Sequence, residues 1–167
     1  MEANSAHIEK IDKYIADLEE KRLKEEELAK KRRELGDSLV LDNTDKREKV
    51  RKFVDDESKV KEFKLAYRGS RDGYLSSDFH RKCDNIGPTL SLIRTSHGKT
   101  LGGYSRASWD QLGSYKHDTM FIFSYDLNTK YKPQSFQNST LHNASYGIYF
   151  SINAELITGN GCNGNVN

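Results

Sequence analysis

The spacing of apolar positions changes partway along the chain. Ile8, Ile11, Ile15 and Leu18 recur at intervals of three and four, which is one face of a helix, and they make two a/d heptads. From Ile8 to Leu35 there is neither Gly nor Pro, and the residues are mostly good helix formers. Glu20–Lys24, Glu26–Lys30 and Glu27–Lys31 add acid-before-base pairs at a spacing of four. Such a helix would reach roughly 42 Å. Arg22 and Glu25 then fall on the seam, and Leu28 and Leu35 resume it out of phase. A coiled coil wants three or four sustained heptads. Two readings therefore stay open, a charged helix facing solvent and a short dimerising coil. Gly36 marks the expected helix stop and C-cap.

After Gly36 comes a short apolar run, Leu39-Val40-Leu41. A second helix is then expected from about Thr44, with Val50, Phe53 and Val54 on one side. That stripe is narrow, so the helix should lie on the surface of whatever follows. From Phe63 the period becomes two. Phe63, Leu65 and Tyr67 alternate with Lys64, Ala66 and Arg68, which predicts a strand with one wet face. Arg71-Asp72-Gly73 reads as a turn, and Ser76-Ser77-Asp78 as the cap of a short helix over 79–83. Strands are expected at 89–94, 100–104, 120–125, 135–137 and 146–152. Met120 to Tyr125 is the most apolar and should be central. Many short strands with frequent turns predict an antiparallel sandwich or barrel with small helices inserted. The expected class is α+β, mainly β.

Composition sharpens this division. Through Glu62 there are 16 Lys/Arg and 18 Asp/Glu, whereas the remaining 105 residues carry 11 and 7. Fifteen of the 17 aromatics and 11 of the 12 glycines lie after Glu62. The first part thus has the chemistry of solvated helix, and the second that of a turn-rich sheet. The expected organisation is a charged helix over 1–36, a lead-in segment with a helix over 37–62, and a β body over 63–167. The 167 residues allow one domain with an appendage, and a net charge of +2 gives no ground for a nucleic-acid partner. Two cysteines, Cys83 and Cys162, make no disulfide framework and suit a reducing compartment. No apolar run approaches a membrane span, and the N-terminus lacks a signal peptide's apolar stretch. A soluble cytoplasmic protein is expected.

Three blocks in the second part resemble the TLDc domain: Phe63-Lys-Leu-Ala-Tyr-Arg-Gly-Ser-Arg-Asp-Gly-Tyr74, Asp78-Phe-His-Arg-Lys-Cys-Asp84 and Gly87-Pro-Thr-Leu-Ser-Leu-Ile93. Gly102-Gly-Tyr104, Ser108-Trp109, Phe121-Ile-Phe-Ser124 and Ser145-Tyr-Gly147 continue it in the same order. The resemblance covers about Ser38 to Gly147. It implies two antiparallel sheets packed face to face with helices around the rim. It also implies a role seen in several relatives, association with the proton-pumping vacuolar ATPase and protection against oxidative stress. It implies no reaction. Tyr149 to Glu155 replaces a glycine-rich segment usual in the family, and a last strand rich in acidic and apolar residues is not found before Asn167. The domain is therefore expected to be incomplete at its C-terminus.

The densest polar cluster holds Arg68, Arg71, Asp72, Asp78, His80, Arg81, Lys82, Cys83 and Asp84. His80 and Cys83, three apart on a short helix, are the candidates for a base and a nucleophile, which makes an enzyme or redox-active protein the alternative function. Cys83 is also expected as a small buried residue. His80-x-x-Cys83 supplies only half of a structural zinc site, and Cys162, His97 and His142 form no paired motif to complete it. No metal or cofactor is expected. Arg68, Arg71, Asp72 and Asp78 are expected to pair and fix the turn. Arg68, Arg71, Asp72, His80 and Lys82 are also the candidate partner-binding residues, because arginines near aromatics suit interface hot spots. Gly102-Gly103 is not a phosphate loop and is expected to permit a bulge or close sheet packing. Trp109 is expected in the core with a partner for its indole N–H. The first function expected is a non-enzymatic protein-interaction module, with a homodimer through the N-terminal helix as a further possibility. A coiled-coil scaffold carrying a degenerate TLDc domain is the remaining alternative.

Overall fold

The chain order in a computed structural model is α1 (Glu2–Arg33), α2 (Thr44–Asp55), α3 (Gly69–Asp72) and α4 (Ser76–Cys83), followed among the described residues by eight strands. These are β1 (Thr89–Arg94), β2 (Thr100–Ser105), β3 (Leu112–Lys116), β4 (Met120–Ser124), β5 (Thr129–Tyr131), β6 (Thr140–Asn143), β7 (Tyr146–Ile152) and β8 (Ala154–Gly159). The structure describes residues 2–33, 35–55, 62–116, 119–132, 140–152 and 154–159. The strands make two antiparallel sheets, β1-β2-β4-β5 and β3-β6-β7-β8. The fold is α+β, mainly β, as the sequence predicts.

Strand β4 organises both layers of the core. Its side chains alternate, and both faces are covered. Phe121 and Phe123 join Tyr104, Val50, Val54, Leu41 and Leu35 in one cluster. Met120 and Ile122 join Phe79, Cys83, Trp109 and Phe150 in the other. The first cluster seats α2 and the lead-in segment on the outside of the first sheet, and the second fills the space between the sheets. A strand buried on both sides reads as a continuous apolar run, which is why this one is legible. Gly103 pairs with Ile122 across the ladder, and a Cβ there would lie 2.7 Å from the Phe150 ring. Its neighbour Gly102 leaves room for Phe123 on the opposite face. The two glycines therefore serve close packing, one on each side of the sheet.

Helix α1 closes in a Schellman turn. The Gly36 N–H donates to the Lys31 carbonyl at 2.9 Å and the Leu35 N–H to Arg32 at 3.4 Å. The residue at positive φ is Leu35 (56°), not Gly36. Leu35 takes this position because its side chain is buried in the first core cluster. Two further ties hold this end of the helix to the body. Lys31 pairs with Asp37 at 2.9 Å, and the Phe63 N–H donates to the Arg32 carbonyl at 3.2 Å.

The predicted strand over 63–67 does not form. Phe63 packs against the first cluster, but the consecutive residues Ala66 and Tyr67 both pack against the second. Two neighbours on one side break the period of two that a paired strand requires. No backbone hydrogen bond joins residues 64–66 to another described residue. The expected strand at 135–137 lies outside the described residues.

Candidate functional site

Helices α3 and α4 are joined by a turn built around two carboxylates. The Asp72 carboxylate accepts from the Arg68 N–H at 2.9 Å and from Arg71 Nε and Nη2 at 2.9 and 2.7 Å. The Arg71 guanidinium, and after it the Arg68 N–H, hold the Asp72 carboxyl well below the usual carboxylate range. Asp78 accepts from the Leu75 N–H at 3.2 Å, capping the start of α4, and from Arg81 Nη2 at 3.0 Å. Gly73 sits at φ 109°, and a Cβ there would fall 2.0 Å from an Asp78 oxygen. Only glycine admits that cap. Arg68 Nη2 donates to the Asp37 carbonyl at 2.7 Å, tying the turn to the lead-in segment. The arginines and aspartates thus pair and fix the turn, with Asp78 bound to Arg81 rather than to Arg68 or Arg71.

What this frame presents outward is mixed. Arg71, Arg81 and Lys82 are exposed, and so are Tyr74 (37 %) and Leu75 (51 %). The sequence places Arg81 in the polar cluster without a partner-binding role, and it does not single out Tyr74 or Leu75 as site residues. The available signal was the position of Tyr74-Leu75 between the Gly73 turn and the first residues of α4, where neither periodicity buries them.

His80 points the other way. It is buried, with Nδ1 2.6 Å from an Asp84 oxygen and Nε2 2.9 and 3.1 Å from the carbonyls of Tyr146 and Asn143. Facing two carbonyls, Nε2 must donate. The ring therefore ties α4 to the β6–β7 turn, and the structure separates it from the exposed Arg71 and Lys82. Asp84 is itself held by Gln111 Nε2 at 2.6 Å.

Cys83 is buried in the cluster between the sheets. Burial first, then the charges of Asp84 and Asp72, push its thiol up to about 12. Such a group stays a thiol at neutral pH, and both nitrogens of the candidate base, His80, are already engaged. Among the described residues no group of three or more His, Cys, Asp or Glu is placed to hold a metal ion. None of the described helices is long and apolar enough to cross a membrane.

A second buried histidine, His142, stacks on Trp109 with centroids 4.8 Å apart. Its Nδ1 accepts from the Asp110 N–H at 3.1 Å, so the proton sits on Nε2, which donates to Thr140 Oγ1 at 2.9 Å. Burial, and then Lys116, lower its pKa from 6.5 to about 4. Trp109 in turn donates its indole N–H to Thr89 Oγ1 at 2.8 Å, which supplies the partner expected for it.

Beside this frame lies a groove of about 680 Å³ lined by residues 62–70 and β1, with the lead-in segment and Gly159 also on its wall. Leu65, Leu90, Leu92 and Ile148 contribute to its apolar wall. Because β1 is an edge strand and residues 64–66 are unladdered, the groove is flanked by backbone not used in a sheet.

A family model described as the TLDc domain matches residues 36–164, well over half of the chain. The match begins where α1 ends and runs past Gly147, so the departure over 149–155 lies inside it. No curated protein and no solved structure matches the chain. The fold, the order of the sequence blocks and the extent of the match agree: the chain belongs to the TLDc-domain family.

Proposed function

We propose that the protein is a TLDc-type protein-interaction module, whose 63–167 body docks onto a partner while 37–62 braces it and 1–36 adds reach or self-association. The observation that carries this reading is the α3–α4 turn, which holds Arg71 and Arg81 in fixed pairings beside exposed Tyr74 and Leu75. Aromatic and arginine side chains dominate interface hot spots, and side chains fixed in advance lose less entropy on binding. Arg68, Asp72 and Lys82 frame or extend this surface. By family resemblance the partner is the peripheral sector of the vacuolar ATPase, met in the cytoplasm. Docking acts by occupancy, shifting an assembly equilibrium by its differential affinity for two states.

A contribution to oxidative-stress resistance would then be indirect, through the pump. A thiol as suppressed as Cys83 is a poor direct scavenger. The test is a pull-down of the full chain from lysate, beside the variant carrying Leu75→Asp and Arg71→Ala. Pump subunits recovered by the unsubstituted chain and lost with the variant are expected. Recovery of none, where another family member recovers them, removes this partner. Equal recovery by the variant removes this surface.

A further inference from the structure

Among the described residues, helix α1 leaves Ile8, Ile11, Ile15, Leu18, Leu23 and Leu28 exposed, and the first four share one face. Ile8, Ile11, Ile15 and Leu18 are 57, 45, 48 and 49 % exposed, and they form one stripe with Ile8 and Ile15 at a and Ile11 and Leu18 at d. The positions flanking the stripe differ in chemistry, with hydrogen-bond donors on one side and carboxylates on the other. His7, Tyr14 and Lys21 occupy g, whereas Asp12, Glu19 and Glu26 occupy e. In a parallel, in-register pair each g residue meets the e residue five places later on the other helix. Along Ile8–Leu18 this sets two hydrogen-bond donors, His7 and Tyr14, against the carboxylates of Asp12 and Glu19, twice each by symmetry. An antiparallel pair over the same stripe would set Asp12 against Asp12, two like charges. The remaining faces carry both signs of charge, which gives an anionic membrane no advantage as the occupant.

We propose that the occupant of this stripe is the same stripe of a second copy, parallel and in register over Ile8–Leu18. This deepens, and rests on, the self-association named above. Arg22 and Glu25 hold the next two seam positions, so the helices part after Leu18. The remaining stretch to Arg33 spans roughly 22 Å, which leaves room for two bodies. Because α1 is fixed to the body at its C-terminal end by Leu35, Lys31 and Arg32, a parallel pair presents both bodies at the same end of the stalk.

The test uses the full chain with Cys162→Ser, which leaves buried Cys83 as the native thiol. Sedimentation over a concentration series should show a dimer, and Ile11→Lys with Ile15→Lys should raise its dissociation constant at least tenfold. Under mild oxidation, Leu18→Cys should form a disulfide to itself. A mixture of separate Ile8→Cys and Leu18→Cys chains should give no 8–18 species. A monomer at every concentration removes the self-association. A dimer that survives the lysines removes this stripe, and a dimer yielding the 8–18 disulfide in place of 18–18 removes the orientation.

Discussion

Gly103 lacks a side chain because the Phe150 ring of the opposite sheet occupies the space a Cβ would take. Gly103→Ala must push apart two packed sheets, and overpacking of this kind costs about 1–3 kcal/mol. Gly159→Ala, where a Cβ meets nothing within 4 Å, should stay within about 0.5 kcal/mol. Urea unfolding of the two variants beside the parent checks both, and equal midpoints for all three would refute the close-packing account. His142 supports a second prediction at this scale. Protonation would set an N–H at Nδ1 against the Asp110 N–H, inside a cluster that excludes water. The folded pKa of about 4 lies below the 6.5 of the free side chain, so the unfolded chain binds the proton first. The neutral ring's contribution is therefore complete above pH 6.5 and is lost as pH falls toward 4. It amounts to about 3 kcal/mol. Stability of the parent should drop more steeply than that of His142→Gln between pH 6.5 and 4.5. Parallel curves would show that the buried ring does not govern this window.

Which elements the sequence makes legible follows from how each is packed. Helix α2 is readable from Val50, Phe53 and Val54 because one side touches the sheet and the other does not. Leu41 is drawn into the same cluster, where the Ser38 hydroxyl accepts the backbone N–H groups of Val40 and Leu41 at 3.2 and 3.1 Å and turns the chain inward. Leu41→Ala should accordingly cost about 2–5 kcal/mol, and Leu39→Ala, exposed two residues earlier, almost nothing. Thermal unfolding separates them, and a similar small loss for both would mean the lead-in segment is not part of the core. Strand β3 offers no such pattern. Leu112 and Tyr115 are exposed and Gly113 sits at φ 71° in a register shift, so no alternation marks it. Strand β8 is hidden for another reason, since Ala154 to Gly159 mixes small, acidic and apolar residues at an edge. The 63–67 segment has a strand's pattern without a strand's pairing, because two of its residues fill the core on one side. The site was legible in its charges, which the turn needs, and illegible in Tyr74 and Leu75, whose exposure follows from where two short helices happen to meet.

The molecule as a whole is two polymers of opposite balance, a slightly acidic stalk with its lead-in and a basic body. If two stalks pair in parallel, two α3–α4 surfaces point toward the same partner array. Linking two binding events in this way raises apparent affinity by 10²–10⁴-fold when the linker lets both engage, without any new contact. The parent chain should then bind a densely coated partner surface at least tenfold more tightly than the Ile11→Lys, Ile15→Lys variant. On a sparse surface, where only one body at a time finds a site, the two should bind alike. Surface plasmon resonance at two coating densities reads both. A gap that persists at low density would mean the lysines damage the docking surface itself, and no gap at either would mean the two bodies do not reach the partner together. Added salt should weaken each single contact, because Arg71, Arg81 and Lys82 meet the partner at the solvent boundary where ions screen them. The gap between the two densities should nevertheless persist, because the apolar stripe that pairs the stalks is not screened by salt.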